Sequence, residues 1–336
     1  DRYGRKVMLV RASFGMAICM SLTGMVETVW QLVLLRLLIG FAGGYSSGST
    51  ILVAMQTPKE RSGWALGVLS AGITAGSLVG PLLGGVLPPV IGIRATFLLS
   101  GGVIFLAFLA TTFLIKESPR PRPAEAAPAA KPKSGWSQIP DKRPVAAMLT
   151  TGMLLAFATM SIEPIITVYV QQLIEDQSRV TLVAGVVTSA AALGTILSAS
   201  WLGKLADRIG HWNVVVGALV VSALLLIPQA FVTNSWQLIG LRFLMGLALG
   251  GLLPCITSVI RHNTPDGVGG NVLGLAIAAQ YVGQVAGPLA GGFVGGHFGM
   301  PSVFLGTSVL MALGAVYNWI VQSRRTRHMA LEAGKP

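Results

Sequence analysis

Ten apolar stretches divide the sequence, and each is long enough to cross a lipid bilayer as a helix. They lie near residues 7–26, 31–54, 64–88, 95–115, 145–171, 180–202, 213–232, 237–260, 270–294 and 302–322. A helix of about 20 apolar residues spans the hydrocarbon core, where the backbone must bond internally. Charged residues make up 11% of the chain, less than half of the share of about 25% in soluble domains. The pattern predicts an all-α integral membrane protein.

The third stretch contains a line of glycines at one-turn spacing: Gly72, Gly76, Gly80 and Gly84. On a helix these positions share one face, which predicts a groove without side chains where a second helix packs backbone to backbone. Proline removes a backbone hydrogen bond, so Pro81 is expected to bend this helix. The segment GQVAGPLAGG, which begins at Gly283, repeats the spacing. The two segments indicate an internal repeat.

The two halves of the chain match in register over most of their length. At an offset of 206 residues the matched pairs are Asp1 with Asp207, Arg2 with Arg208, Gly4 with Gly210, Arg36 with Arg242 and Gly40 with Gly246. Past one inserted residue the offset is 207, and the matched pairs are Gly67 with Gly274, Gly80 with Gly287, Pro81 with Pro288, Gly84 with Gly291, Gly85 with Gly292 and Phe97 with Phe304. Chance does not easily supply so many registered matches, so we interpret the chain as a duplicated bundle.

A stretch of different composition separates the halves. Residues 116–143, KESPRPRPAEAAPAAKPKSGWSQIPDKR, are rich in proline, alanine and charge, which is typical of an extended, largely disordered linker. The expected organisation is an N-terminal half at 1–115, this linker, a C-terminal six-helix half at 144–323 and a tail at 324–336. Two stretches precede the Asp207 loop, whereas the first half begins at the matching loop. We therefore expect the intact protein to carry two further helices upstream, giving twelve in all.

Basic residues fall almost entirely on one side of the predicted helices. If the stretches alternate across the membrane, 20 lysines and arginines lie on the side of the Asp1 loop, the linker and the tail. Arg94 and Arg179 lie on the other side, and Arg36 and Arg242 lie within stretches. Cytoplasmic loops carry the excess of positive charge, so the linker and the C-terminus are expected in the cytoplasm. The net charge of +12 is then explained by the basic residues of the cytoplasmic loops, which set the orientation in the membrane. We therefore expect no nucleic-acid partner.

These features together resemble the Major Facilitator Superfamily, whose members have two six-helix repeats joined by a cytoplasmic linker. The segment from Asp1 to Lys6 resembles the end of the family's loop motif between the second and third helices, and the segment from Gly203 to Gly210 resembles its fuller second copy. Arg36 with Gly40 is similar to the arginine motif of the fourth helix. The segment from Gly76 to Gly85 is similar to the fifth-helix signature of the drug–proton antiporter branch. Within that branch the chain is most similar to bacterial multidrug-efflux proteins of the MdtG type.

The resemblance implies a major facilitator fold, with ten of its twelve helices present here, that works by alternating access. It also implies that the loop motif stabilises the outward-facing state. This role carries over to Asp1, Arg2, Gly4 and Arg5 and, in the second copy, to Gly203, Asp207, Arg208 and Gly210. A carboxylate at a helix end can pair there with an arginine across the cytoplasmic rim. The alternative is a solvated turn that only follows the charge bias.

Glu163 is the only carboxylate that falls well inside an apolar stretch, and Pro164 follows it directly. A charged carboxylate is costly in the bilayer, so Glu163 is expected to face a central cavity or to be protonated. A carboxyl group that water can reach is able to exchange a proton or bind a cationic drug. The alternative is a neutral residue near the outer interface, held by a hydrogen bond.

Arg36 is a candidate for tuning a neighbouring carboxylate or the proton path, and its repeat copy Arg242 is a second candidate. Arg36 lies roughly six residues, ~9 Å, from the end of its helix, so its side chain could instead reach the lipid headgroups. Gln280 and Tyr169 are candidate polar contacts in the cavity.

Signatures of catalysis and metal binding are missing from the sequence. The four histidines have no partners at ligand spacing, and the sequence contains no nucleophile motif or phosphate-binding loop. Cys19 and Cys255 fall in separate apolar stretches, so we expect neither a disulfide nor a metal site. With no ATP-binding domain, uphill transport must use an ion gradient, and we expect no cofactor.

The predicted function is proton-coupled export of lipophilic small molecules by a monomer in a bacterial inner membrane. One alternative is symport or uniport of a metabolite on the same fold. That function usually needs several buried charges for a polar solute, and this chain has few. A second alternative is a non-transporting receptor, scaffold or truncated product, for which no dependence on a gradient is expected.

Overall fold

The computed structural model describes residues 5–58, 61–115, 136, 139, 141–265 and 268–333, and the side chains of residues 5, 51, 54, 55, 62, 63 and 325–333 lie outside that description. The helices are α1 (Arg5–Thr23), α2 (Val29–Ala42), α3 (Tyr45–Gln56), α4 (Ser62–Ile91), α5 (Ile93–Leu114), α6 (Lys142–Ile162), α7 (Ile166–Leu173), α8 (Val180–Ile209), α9 (His211–Gln229), α10 (Ser235–Leu249), α11 (Leu252–His262), α12 (Gly269–Phe298) and α13 (Met300–Ala333). No strand occurs in these residues. The predicted all-α fold is confirmed.

Ten helical segments of the described chain are long and apolar enough to cross a membrane, which confirms the ten predicted stretches. Three of them are interrupted where the sequence predicted one continuous helix, between α2 and α3, α6 and α7, and α10 and α11. Glycines lie at the first and third breaks. Gly44 has a φ of 105°, a left-handed conformation that is open to glycine. Gly250 and Gly251 separate α10 from α11.

The chain divides into two compact units, Asp1–Ala127 and Pro128–Pro336. Helices α1 to α5 belong to the first unit, and α6 to α13 belong to the second. Near the start of the second unit, Ile139 is buried and packs with the hydrophobic core. α6 begins at Lys142, so the last two residues of the predicted linker are helical.

Close helix pairs build the second unit, among them α6 with α12, α8 with α10, and α9 with α13. Gly283, Gly287 and Gly291 of α12 lie so close to α6 that a Cβ on any of them would come within 3.0 Å of a carbonyl oxygen. These oxygens belong to Met153, Phe157 and Ser161. The backbone-to-backbone packing predicted for the glycine line is therefore observed in its second copy.

Helices α8 and α10 approach each other in the same way. Gly246 of α10 lies against the carbonyl oxygen of Ala191, and Gly194 of α8 lies against the carbonyl oxygen of Phe243. Small residues at such contacts let helices pack closely in a bilayer, where van der Waals contact drives their association. Both close pairs depend on glycines that have no room for a side chain.

Buried hydrogen bonds connect α13 to two other helices. Nδ2 of Asn318 donates to Oγ1 of Thr151 on α6 at 2.7 Å, and Nε1 of Trp212 on α9 donates to the backbone oxygen of Asn318 at 3.0 Å. Asn318 is fully buried, and buried polar groups need such partners. The bonds therefore fix the register of α6, α9 and α13.

The first unit is built around α1 and α5. Gly101 of α5 lies against Ser21 of α1, and Oη of Tyr45 on α3 is 2.8 Å from Oγ1 of Thr111 on α5. Helix α4 contacts α3 and α5, and it runs without interruption through Pro81. Within the described part of the chain α2 has no buried residue.

Candidate functional site

Glu163 lies where the membrane span formed by α6 and α7 is interrupted. α6 ends at Ile162, and Glu163–Ile165 form a 3-10 turn before α7 begins. The cause is local, because Pro164 has no backbone N–H to donate and its ring clashes with the preceding helical turn. The turn leaves Glu163 exposed on the second unit. Its carboxyl group is thus accessible within a span.

Arg242 brings a buried positive charge close to Glu163. This arginine lies on α10 and is 8% exposed, and its charge interacts with that of Glu163. Among the described residues, neither Nε nor Nη2 of Arg242 finds a hydrogen-bond partner. A buried guanidinium group is costly unless an opposite charge compensates it. Glu163 is the carboxylate placed to do so.

Aromatic side chains support the guanidinium group from the core. Its Cζ atom lies 5.9 Å from the centroid of the Phe304 ring on α13, within range of a cation–π interaction. The ring of Tyr169 on α7 lies 5.1 Å from that of Phe304. Oη of Tyr169 donates to the backbone oxygen of Gln229, the last residue of α9, at 2.9 Å. Phe304 on α13 thus contacts the guanidinium group of Arg242, and Tyr169 connects that ring to α7 and α9.

The pair of Glu163 and Arg242 changes its net charge when the carboxyl group takes up a proton. With the carboxylate ionised the pair is neutral, and with the carboxyl group protonated the pair carries one positive charge. Charges act strongly on each other where the dielectric constant is low. Protonation of Glu163 therefore changes the electrostatic energy of the Arg242 side chain.

Two other candidate residues lie on different helices. Gln280 lies on α12, where its side chain covers Gly152 of α6. Arg36 is exposed on α2 of the first unit, whereas its repeat copy Arg242 is buried. For metal ions, the described residues contain no group of three or more His, Cys, Asp or Glu side chains arranged to bind one.

The loop motif is described mainly in its second copy. Three residues of the first copy lie outside the described residues: Asp1, Arg2 and Gly4. Arg5 is the first residue of α1. The second copy forms the end of α8 and its cap: Gly203, Asp207, Arg208 and Gly210. Oδ1 of Asp207 lies 3.7 Å from Nε2 of His211, so this carboxylate faces the first residue of α9.

Sequence reasoning did not connect Arg242 with Glu163 or Phe304. Their proximity depends on the break after α6 and on how α10 and α13 pack, which apolar periodicity does not reveal. One signal was available, because Arg242 and Phe304 both occupy positions matched between the repeats. Non-glycine positions that match between the two repeats can therefore point to residues that contact each other, as Arg242 and Phe304 do.

Replacing Tyr169 by phenylalanine is expected to lower the stability of the second unit. The change removes a buried hydrogen bond and leaves the Gln229 oxygen without that donor, which costs about 1 kcal/mol. Thermal unfolding of the purified protein in detergent measures the effect. Tyr317→Phe is the matched control, because Tyr317 is 42% exposed and its replacement should leave the midpoint unchanged. Equal midpoints for both variants and the original protein would contradict the prediction.

Comparison with known proteins gives one family. A sequence profile described as Major Facilitator Superfamily matches residues 1–178 and again residues 176–335. The chain is similar to the multidrug resistance protein MdtG of Salmonella typhimurium, with 39% identity over 332 residues that cover 99% of this chain and 81% of that protein. The MdtG protein of Salmonella dublin shows 39% identity over 332 residues, with coverage of 99% and 81%.

Solved structures of a bacterial homologue of the human lysosomal transporter Spinster have a similar fold. Its inward-facing, unoccupied conformation matches with a TM-score of 0.73 and 14% identity, covering 96% of this chain and 83% of that one. Its inward-facing, occupied conformation matches with a TM-score of 0.75 and 16% identity, at coverages of 96% and 83%. At these identities the likeness concerns the fold alone.

Proposed function

We propose that this chain, which belongs to the Major Facilitator Superfamily, exports lipophilic small molecules in exchange for protons. The substrate class is supported by the name of its relative in Salmonella typhimurium, a multidrug resistance protein that is 39% identical. A symporter or uniporter of a polar metabolite usually needs several buried charges. Arg242 is the only buried charged side chain among the described residues, which favours a lipophilic substrate.

The observation that carries the proposal is the pair of an accessible Glu163 and a buried Arg242. An ionised Glu163 can bind a cationic substrate, and a proton on the same carboxyl group removes the negative charge that holds the substrate. Substrate and proton then compete for one group. Competition of this kind exchanges one for the other across the membrane when the site opens to alternate sides.

The remaining candidate residues take supporting roles in this proposal. Tyr169 positions Arg242 through the ring of Phe304, while Gln280 and Arg36 are polar contacts for the substrate or the proton path. Asp207 and Arg208 form a latch that stabilises one transport state. The linker and the C-terminus lie in the cytoplasm of a bacterial cell, and the protein works as a monomer in the inner membrane.

Proton release from everted membrane vesicles tests the proposal. The vesicles contain this chain and are acidified inside, and tetraphenylphosphonium, a lipophilic cation, is added outside. The expected result is a rise of the interior pH that vesicles without the protein do not show. A rise with polar metabolites and not with lipophilic compounds would indicate a metabolite transporter. No response to any added solute would contradict antiport and favour a non-transporting protein.

A further inference from the structure

Two histidines that are distant in the sequence meet at the surface of the second unit. His211 is the first residue of α9, and His262 is the last residue of α11. Their ring centroids lie 6.2 Å apart, with an angle of 37° between the ring planes. Both residues line one cleft of about 230 Å³. Each also stands at the end of a membrane-spanning segment, where water and dissolved ions have access.

One nitrogen of each ring faces an oxygen atom. Nδ1 of His262 lies 2.8 Å from the backbone oxygen of Ser258, and this nitrogen is the donor because a carbonyl oxygen can only accept. Nε2 of His211 lies 3.7 Å from Oδ1 of Asp207. Among the described residues no hydrogen bond occupies the second nitrogen of either ring, Nε2 of His262 or Nδ1 of His211. Each neutral ring therefore keeps one lone pair free.

Histidines that bind a metal ion have this arrangement. A histidine that binds through one nitrogen almost always directs its other N–H to a carboxylate, a backbone carbonyl or water, which fixes the ring. The metal–nitrogen distance is about 2.0–2.1 Å, so two rings on one ion have centroids roughly 5–6.5 Å apart. The separation of 6.2 Å between the two rings falls within that range.

We propose that His211 and His262 bind one divalent transition-metal ion, represented by Zn²⁺, in the cleft between α9 and α11. One nitrogen of each ring binds the ion, and Asp207 orients His211 from its other nitrogen. The described residues contain no group of three or more His, Cys, Asp or Glu side chains arranged for a metal, so water molecules complete the coordination. The ion ties the first residue of α9 to the last residue of α11.

Other ions fit the cleft less well. Arg208 and Arg261 are exposed nearby in the sequence, but neither of them lines the cleft. The carboxylate of Asp207 would repel an anion bound at His211, and the N–H groups that neutral rings could offer an anion already face oxygen atoms. Mg²⁺ and Ca²⁺ prefer oxygen ligands, whereas imidazole suits Zn²⁺, Cu²⁺ and Ni²⁺.

The polypeptide around the two rings is already fixed. Trp212, which follows His211, is 7% exposed, and its indole Nε1 donates to a backbone oxygen of α13. Val259, about one turn before His262, is buried in the core. Nδ2 of Asn263 donates to the backbone oxygen of Val259 at 2.7 Å and so holds the end of α11. Binding an ion therefore orders little of the chain, which favours affinity.

A titration with Zn²⁺ tests the proposal. The chain is purified in detergent without a polyhistidine tag, and Zn²⁺ is titrated in competition with a chromophoric indicator. The affinity of the tightest site is expected to fall roughly tenfold or more in His211→Ala and in His262→Ala, because each removes a ligand. Zn²⁺ should also raise the midpoint of thermal unfolding of the original chain, but not of these variants. Mg²⁺ at the same concentration should do neither.

His297→Ala is the matched control. Nδ1 of His297 lies 2.9 Å from the backbone oxygen of Phe293, one turn earlier, in the way that His262 lies against Ser258. The ring against His297 is that of Phe293, however, and not a second histidine. The affinity for Zn²⁺ should be unchanged in this variant. Asp207→Asn should weaken binding less than the loss of a ligand does, because it affects only the orientation of a ring.

The outcomes are distinct. Equal affinity for Zn²⁺ in the original chain and in both histidine variants overturns the proposal. A loss in only one of them also overturns it, since the two rings would then not share an ion. Binding of Mg²⁺ with the same affinity would indicate an adventitious ion only. His211→Gln and His262→Gln keep a polar side chain at each position and serve as second variants if alanine disturbs folding. The assay needs no drug and no pH gradient, so its result is independent of the antiport test.

Discussion

Replacing Glu163 by glutamine is expected to reduce drug-dependent proton release to the level of vesicles without the protein. Glutamine keeps the size and hydrogen-bonding capacity of the side chain but cannot take up a proton or carry a negative charge. Arg242 then loses the one acidic group whose charge acts on it among the described residues. Expression should persist, because Glu163 is exposed at a 3-10 turn, but the midpoint of thermal unfolding should fall, because the buried Arg242 loses its compensating charge. The assay is the interior pH of acidified everted vesicles after addition of a lipophilic cation.

Asp176→Asn is the matched control, since it removes another carboxylate that follows the same span. Hydrogen bonds from the side chain and the backbone of Ser178, together with the charge of Arg179, lower the pKa of the Asp176 carboxyl group below its usual value. Asp176 therefore stays ionised at neutral pH and cannot act as the proton carrier there. Full proton release is expected from this variant. Wild-type proton release from Glu163→Gln, or loss of release from both variants, would reject the role of Glu163.

Replacing Gly291 by leucine is expected to lower the stability of the second unit strongly. Its Cβ would collide with the carbonyl oxygen, carbon and Cα of Ser161, so α6 and α12 must move apart at this point. Overpacking of a close interface costs typically about 1–3 kcal/mol and occasionally more, and rigid backbone on both sides favours the upper end. The measurements are the yield of monodisperse protein in detergent and the midpoint of thermal unfolding.

The adjacent glycine provides the control for that change. Gly292 is exposed, and no described atom lies within 4 Å of a Cβ built there. Leucine also forms helices better than glycine, by up to about 1 kcal/mol. Gly292→Leu should therefore unfold at the original temperature or slightly above it. If the two leucine variants unfold at the same temperature, close packing of α6 and α12 is not what Gly291 provides.

Much of the architecture could be predicted from the sequence because bilayer-spanning helices have a strong signature. The ten spans and the all-α fold are confirmed, as is the resemblance to the superfamily and to proteins of the MdtG type. The repeat also located the glycine packing of α12 correctly, since Gly283 and Gly291 both lie against α6. These predictions depend on composition and spacing, which the sequence displays directly.

The interruptions and the charge pair could not be predicted in the same way. Gly44 and Gly250 are two glycines among 42 in the chain, and many others, such as Gly287, lie within continuous helices. Whether a glycine breaks a helix depends on its neighbours in space. Arg36 and Arg242 make the same point, because matched positions in the repeat have an exposed arginine in one unit and a buried one in the other.

The break between α10 and α11 has a mechanical consequence. A continuous helix is a rigid rod, so tilting one end must displace the other. Gly250 and Gly251 divide this span into two shorter helices, with Arg242 on one and Arg261 on the other. Both glycines pack against α8, where a Cβ would come within 3.0 Å of Thr195 or Leu202. The two parts are therefore not one rod, and their junction is held against α8.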